Sequence, residues 1–545
     1  YNRCYDIQQE AASGDITLLP QKTNLIYQTS LIYCFNDEQS LYYIDKEFNF
    51  YAFHIPTQKN EFIANLGKEI QERGKISSIV HYHNSYFVGF LMDGILLLEK
   101  QKETNHYQIQ SLPINSGVFC LKKDRFQDVV WIGTDGQGVY LYSNPLYSIK
   151  SMVLSNYTEK IERPVRAIYL DDERTFWVGT KGNGILKIYD YEFDKNISDC
   201  RAEVLTTSNS ALSSNAVYCF AKSHRNLLWI GDEEGLTYYS YREKRIKSIP
   251  IRIGNEDFKY IHGIYETADS ELWLASVGMG VVKARIAGTP DNPVIVDAQR
   301  YIINDGELGS NYFFTIYAEN EANLLFGNKG YGVFRYNETT NGLEPVSTHK
   351  YENMTLNNIL AISKDSSNNY LFGTSYGLIK YTSETSYQLF NAKNGFLNNT
   401  IHAILRNSSD DFWLSTNLGL INFDTKRNVF RSYGFGDGLK VVEFSDGAAF
   451  RDSQTGTLFF GGINGVVAIR ADGRPEQLYM PPVYFDKLSI FGEQYNLGEF
   501  LTRKKETEVL NLQYDQNFFS VSFASVDYLN GNNCTYFYKL KGLSD

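Results

Sequence analysis

Apolar and polar positions alternate with a period of two along most of the chain, in short runs separated by Gly, Asn, Asp and Ser. That period belongs to strands with one face buried, whereas a helix would repeat near 3.6. The run Val130-Trp131-Ile132-Gly133-Thr134 returns as Phe176-Trp177-Val178-Gly179-Thr180 and as Leu228-Trp229-Ile230-Gly231-Asp232. Weaker copies begin at Tyr86, Leu272, Leu324, Tyr370, Phe412 and Leu458. The glycine-like position of each copy falls at 89, 133, 179, 231, 275, 327, 373, 415 and 461, at intervals of 42 to 52 residues. A second glycine follows four or five residues later, as in Gly138, Gly184 and Gly235, and opens another alternating run. Two short strands joined by a tight Gly-containing loop predict a β-hairpin. A third run, such as Val165-Arg166-Ala167-Ile168-Tyr169-Leu170, precedes each anchor, and a looser fourth, such as Tyr147-Ser148-Ile149-Lys150, follows the hairpin. Four strands in roughly 46 residues is the unit of a β-propeller blade.

Nine clear copies and a degenerate one around Leu31–Phe35 and Leu41–Ile44 make ten. Closed propellers take about four to eight blades, so ten implies two rings. The predicted architecture is all-β. Residues 1–150 hold three blades of an incomplete N-terminal propeller, 151–476 form a seven-bladed C-terminal propeller, and 477–545 open an Ig-like β-sandwich. The last part is signalled by Pro481-Pro482 and by the runs Val483-Tyr484-Phe485, Leu510-Asn511-Leu512 and Phe518–Ala524, with Tyr528, Tyr536 and Tyr538 behind them. Three blades alone would leave open sheet edges, so further blades upstream, or a cap, are expected.

With 545 residues, 52 Lys+Arg and 63 Asp+Glu, the net charge of −11 argues against a nucleic-acid partner or a polybasic membrane surface. No apolar run reaches the roughly 18 residues of a spanning helix, so membrane attachment is expected only through a helix beyond the C-terminus. Six cysteines, widely spaced, form no CxxC pair and decide no compartment.

The aromatic content, 41 Tyr, 35 Phe and 5 Trp, suggests carbohydrate stacking. Every Trp, however, stands two residues before an anchor, which marks a packing position common to the blades. Loops such as Gly133-Thr134-Asp135-Gly136-Gln137-Gly138 lack the Gly-Lys-Ser/Thr and the helix of a phosphate loop, and read as hairpin turns. His81 and His83, two apart on a predicted strand, could share one face, but no third metal ligand is evident. Asp171-Asp172 and Glu233-Glu234 read as solvated turns, and no Gly-x-Ser-x-Gly occurs. No catalytic residue, metal site or cofactor is therefore expected.

Function should reside in residues that vary between blades on the face shared by the second-to-third-strand hairpins and the starts of the innermost strands. The candidate ligand-binding set is Arg166, Tyr260, His262, Tyr312, Lys329, Tyr331, Asn399 and His402. Asn215, Asn358, Lys181, Asp232, Glu233 and Asn417 vary at neighbouring positions. Convergent hydrogen bonds and an aromatic face suit a sugar, and Arg166, His262 and Lys329 would favour an acidic one.

The Leu-Trp-Ile-Gly-Thr-x-x-Gly blades resemble the two-component-regulator propeller repeats in the periplasmic sensor region of Bacteroidetes-type signalling receptors. Asp437-Gly438-Leu439, Glu443-Phe444, Gly447-Ala448-Ala449 and Phe459–Gly465 look like the final blade of that family's second propeller. Phe518-Phe519 through Tyr538–Leu543 is similar to the triple-tyrosine domain that follows it. Only three blades of the usual first propeller are here. The resemblance implies a non-enzymatic periplasmic receptor region, a homodimer, that detects an oligosaccharide released from a polysaccharide and controls glycan-utilisation genes. A kinase or a DNA-binding output module would lie downstream. A secreted propeller lyase or glycosidase, and a protein-interaction scaffold, are the alternatives.

Overall fold

The computed structural model describes residues 5–9, 16–20, 31–101 except 38, 106–143, and 147–303 except 157, 159 and 160. It continues with 311–346, 357–471 except 384, 397 and 438, 481–529 except 505 and 506, and residue 536. Gly438, Tyr538 and the Lys539–Leu543 run used above lie outside these residues. The chain divides into two compact units, one made of Tyr1–Pro145 with Pro475–Cys534, the other centred on Leu146–Arg474.

The second unit is a closed ring of seven antiparallel four-stranded sheets. Blades 1 to 6 occupy 165–205, 217–248, 261–301, 313–345, 359–390 and 403–433. Blade 7 takes three strands from 444–471 and its outer strand, Tyr147–Val153, from the beginning of the unit. That strand pairs Met152 with Val466 and Ile149 with Ile469, and so ties the two ends of the ring together. The order of runs along the sequence places Tyr147–Lys150 in the blade before it, and the pairing with Gly465–Ala471 corrects that. Alternation alone names a strand but not its partner, and the third N-terminal sheet has three strands among the described residues.

Each blade is a twisted sheet whose two faces both pack on neighbours, so its second strand is buried on both sides. Phe176–Thr180 and Leu227–Asp232 are buried at every position. One apolar cluster fills each gap between blades, and the cluster joining Phe459, Val466 and Ala468 to Phe176, Val178 and Ile188 closes blade 7 onto blade 1. Trp177, Trp229, Trp273 and Trp413 are fully buried in these gaps.

The anchor glycine allows the gap to be narrow. A Cβ on Gly179 would stand 2.8 Å from Val217 Cγ1 of the next blade, and one on Gly461 would stand 2.6 Å from Val165 Cγ1 across the closing seam. On Gly231 it would meet Cys219 Sγ at 2.5 Å and Ile261 Cγ2 at 2.8 Å. At five of the seven anchors of the ring, Gly179, Gly231, Gly327, Gly373 and Gly461, the glycine is thus a notch that receives a β-branched side chain from the start of the following innermost strand, whereas Ala275 and Ser415 stand at the other two. The hairpin glycine has another reason: Gly184 sits at φ 79°, and a Cβ there would lie 2.1 Å from the Leu205 carbonyl oxygen.

The Asp171-Asp172 pair is not one solvated turn. Asp171 is buried and accepts from the Thr175 amide at 2.7 Å and from Trp177 Nε1 at 2.9 Å, whereas Asp172 is exposed beside Lys222. The first is a turn carboxylate that satisfies the blade's indole N–H.

In the first unit, three sheets span 31–65, 76–111 and 118–143. His81 stacks on Tyr86, whereas His83 stands in the hairpin turn at φ 53° and faces Asp128 at 2.6 Å. The two histidines therefore do not share a strand face. The C-terminal segment forms a three-stranded sheet from Val483–Ile490, Glu493–Tyr495 and Phe519–Ser525, together with the hairpin Leu501–Lys504 and Thr507–Leu510. It is fastened to the third blade: Gln127 Nε2 donates to the Val526 carbonyl at 3.2 Å, and Tyr528 N donates to Gln127 Oε1 at 2.8 Å. The Tyr528 ring meets Trp131 edge-on at 4.7 Å.

Filling a notch should open a gap. Gly231→Val is expected to cost roughly 1–3 kcal/mol and to lower the melting temperature, as overpacking does. Gly434→Ala, where an added Cβ meets nothing within 4 Å, should leave it within experimental error. Differential scanning calorimetry of both variants checks this.

Candidate functional site

The innermost strands of the ring share an irregularity one residue after the β-branched or aromatic residue at their start. Register shifts fall between Val165 and Ala167, Val217 and Cys219, Ile261 and Gly263, Phe313 and Thr315, and Ile359 and Ala361. Each is a β-bulge, in which two residues oppose one and the extra side chain leaves the regular alternation. The bulged residues are Arg166, Tyr218, His262, Phe314 and Leu360. His402 holds the corresponding place in blade 6, just before Ala403, and its amide donates to the Ser415 carbonyl at 2.9 Å. In blade 7 the shift is wider, from Phe444 to Ala449, and contains Asp446.

Seven residues, one per blade, thereby share this position beside the channel that the innermost strands line, and contacts join six of them, Arg166, Tyr218, His262, Phe314, His402 and Asp446. His262 stacks on Tyr218 with ring centroids 4.2 Å apart and an interplanar angle of 16°, and meets Phe314 edge-on at 5.7 Å. On the other side, His402 Nδ1 lies 2.5 Å from Asp446 Oδ1, and its Nε2 lies 2.6 Å from the Asn417 side-chain oxygen. Arg166 Nη1 stands 3.6 Å from Asp446 Oδ2. The cluster has an aromatic half from blades 2 to 4 and a charged half from blades 6, 7 and 1.

Its electrostatics follow from burial and from these contacts. Burial first, then Arg166 and Lys181, push His262 down to about 3, so this ring is a neutral aromatic and not a cation. The expectation that His262 would attract an acidic sugar by charge is corrected accordingly. Burial works against ionisation of Asp446, but the His402 hydrogen bond and charge, with Arg166 behind them, outweigh it and hold the carboxyl below its usual range. Burial, with Glu233 second, raises the Tyr218 phenol, which stays a hydrogen-bond donor. The buried Arg166 Nε–H has no acceptor among the described residues. A buried donor of this kind favours an incoming oxygen.

The hairpins frame the same face. Lys181 N donates to the Pro164 carbonyl and Lys329 N to that of Tyr312, both at 2.9 Å, so each hairpin sits beside the start of its own innermost strand. Gly182 N and Gly278 N reach the next blade at Asn215 O and Asn311 O. Of the eight candidates, Arg166, His262 and His402 meet at the axis. Tyr260 and Tyr312 stand two residues before the bulge. Tyr260 is exposed, and Tyr312 lies over Gly278, its Cε1 3.2 Å from where a Cβ there would be. Lys329 is exposed in the blade 4 hairpin, and Tyr331 packs on the cluster around Trp273 and Phe326. Asn399 Oδ1 accepts from the Ala392 amide at 2.8 Å and braces a turn. Tyr218, Phe314, Leu360 and Asp446 were not among the candidates. Counting from the anchor's partner would have found the first three, because each bulge precedes Cys219, Thr315 or Ala361, which pair with anchors.

Asp232 replaces the hairpin threonine of other blades. Thr180 Oγ1 donates to the Gly184 carbonyl, whereas buried Asp232 accepts from the Glu234 and Gly235 amides at 2.9 and 3.0 Å and from Ser213.

No family model matches the chain. A histidine kinase, P4, from Formosa agariphila is 24% identical over 401 residues, which are 70% of this chain and 28% of that protein. The chain thus spans 28% of the length of the curated relative it matches. The extracellular domain of a protein described as a hybrid two-component system, from B. thetaiotaomicron, superposes with a TM-score of 0.55 at 22% identity, over 96% of this chain and 73% of that one. That of a one-component system from the same organism gives 0.48 at 16% identity, over 95% and 68%. The resemblance to sensor regions of such receptors, first carried by the blade repeats, is met in these comparisons, and the TM-score of 0.55 supports the propeller fold.

Burial pushes Asp232 up to about 6 from its ordinary 3.8, so its ionisation opposes folding. The fold holds the proton longer than the unfolded chain, so this residue's contribution to stability falls as pH rises through that window. Asp232→Asn keeps the acceptor without the charge. It should stabilise the ring by roughly 2–3 kcal/mol at pH 7.5, with the gain vanishing below about pH 4. Thermal melts of both proteins across that range test it.

Proposed function

We propose that this chain is the extracytoplasmic ligand-sensing region of a transmembrane signalling receptor, and that its ligand is an oligosaccharide released from a polysaccharide. The carrying observation is the convergence at the ring axis of the aromatic side chains Tyr218, His262 and Phe314 with the donor Arg166 and the hydrogen-bonded pair His402 and Asp446. Sugars are recognised by such a combination: an apolar face for the ring's C–H groups and fixed polar groups for its hydroxyls. Asp446 is tied to His402 and Arg166 on both sides, which suits a fixed recognition group better than a general acid. The likeness to extracellular domains of two-component systems supports a sensing role over a catalytic one.

In this reading the region is periplasmic and paired with a second copy, and a downstream module controls genes for glycan use. Ligand bound at the axis biases one of two arrangements of the receptor by its differential affinity for them.

Calorimetric titration of the protein with host and dietary oligosaccharides tests this. At least one should bind. Arg166→Ala and His262→Ala should each weaken it by about 10- to 100-fold, the scale of a lost charge-assisted bond or stacking face. Chromatography of the same mixtures should show the sugar unchanged. Binding that both variants leave intact, or no binding across the panel, contradicts the proposal, and turnover would favour a propeller lyase or glycosidase.

A further inference from the structure

A second feature of the ring lies away from the axis, between the outer strands of blades 1 and 2. A cavity of about 590 Å³ opens there, lined among others by Lys187, Glu203, Tyr239, Lys244, Arg245 and Lys247. That volume falls within the range of small-molecule sites. At its base is Lys187, on the third strand of blade 1, whose side chain is only 4% exposed. Its ammonium sits 4.5 Å from the ring centres of both Trp177 and Tyr239 and 4.9 Å from that of Tyr189. The rings offset part of its desolvation by cation–π attraction. An ammonium has three N–H groups to satisfy. Among the described residues it has one hydrogen bond, to the Tyr239 hydroxyl at 3.4 Å, and Glu203 lies 4.0 Å away. Glu203 is itself engaged, accepting from the Tyr189 hydroxyl at 2.7 Å.

The walls repeat the sign of the base. Arg245 and Lys247 share Glu243, and Lys247 also reaches Asn292 Oδ1 at 2.7 Å, while Lys244 adds a further cation at φ 53° in the turn between the strands. The lining thus carries four cations, Lys187, Lys244, Arg245 and Lys247, and one carboxylate, Glu203, with Glu243 pairing two of the cations and Asp171, Glu173 and Arg201 also close enough to act on Lys187, in a chain whose net charge is −11. A concave site that reverses the sign of the whole molecule concentrates ligands of the opposite charge.

We propose that this cavity is a second ligand site, separate from the axial one, that takes an acidic saccharide through its sulfate or carboxylate groups. An anionic oxygen would take the unused donors of Lys187, the Tyr239 ring would border the sugar, and Lys244 and Arg245 would hold a further acidic group near the mouth. The site does not depend on the axial reading, and each can fail without the other.

The experiment is calorimetric titration of the whole chain, at constant ionic strength, with sucrose octasulfate, trigalacturonate, maltotriose and sodium sulfate. One or both acidic saccharides should bind, and which one binds distinguishes sulfate from carboxylate recognition. Maltotriose should not compete, and sodium sulfate should be at least 100-fold weaker. The double variant K244Q/R245Q, whose changes lie outside the apolar core, should weaken binding tenfold or more. Lys187→Met should weaken it further without lowering the melting temperature, and Arg166→Ala should leave it unchanged. Failure of both acidic saccharides to bind, indifference to K244Q/R245Q, sodium sulfate binding as well as the saccharides, or loss of binding in Arg166→Ala would each overturn the proposal.

Discussion

The ring depends on one close approach made at five of its seven seams: the second strand of a blade lets a β-branched side chain of the next blade's innermost strand rest where a Cβ would otherwise stand. Gly179 receives Val217, Gly231 receives Ile261, Gly373 receives Ile401, and Gly461 receives Val165 to close the circle. Interiors pack at crystal-like density, so a methyl group at any of these points would have to move a blade. The contact also fixes each innermost strand along its length. The residue after the notch-filling one is the bulged residue, and it is turned toward the axis in blade after blade. Packing and site are thus set by adjacent positions: Val165 fills the notch and Arg166 reaches Asp446, Val217 fills the notch and Tyr218 stacks on His262.

This explains how a repetitive scaffold carries a specific site. The anchor glycines and the notch-filling side chains are constrained by the geometry of blade against blade, and so are similar throughout. The bulged residue makes no such contact and is free to differ, so it reads Arg, Tyr, His, Phe, Leu and His through blades 1 to 6. Blade 7 departs most, with a wider bulge that places Asp446 between His402 of one neighbour and Arg166 of the other. The charged half of the cluster therefore lies at the seam where the chain closes on itself.

Much of this was legible in the sequence for physical reasons. Hairpin glycines and most anchor glycines recur because a side chain there would meet the neighbouring strand, and a large apolar residue, Trp in four blades, recurs two positions before the anchor to fill the gap, so the blades could be counted. Partner choice was less legible. Tyr147–Val153 alternates like any outer strand, and nothing within it specifies that it pairs with 465–471. The axial cluster is half legible: Arg166, His262 and His402 stand out as residues that vary between blades, whereas Tyr218, Phe314 and Leu360 do not, because a bulge shifts the face by a residue without changing the alternation around it. The roles of Asp171 and Asp446 are not legible in the sequence, because a carboxylate's burial depends on which donors the fold delivers to it: the Thr175 amide and Trp177 indole across a turn for Asp171, and the distant His402 and Arg166 for Asp446.

The central claim is that ligand binds where the seven bulges converge. Hydrogen exchange of the whole chain, with and without a bound oligosaccharide, measures this most directly. Protection should concentrate at the starts of the innermost strands around Arg166, Tyr218, His262, Phe314, His402 and Asp446, and in the hairpins at Lys181 and Asn417. Protection confined to the outer strands, with these segments exchanging as in the free protein, would contradict it.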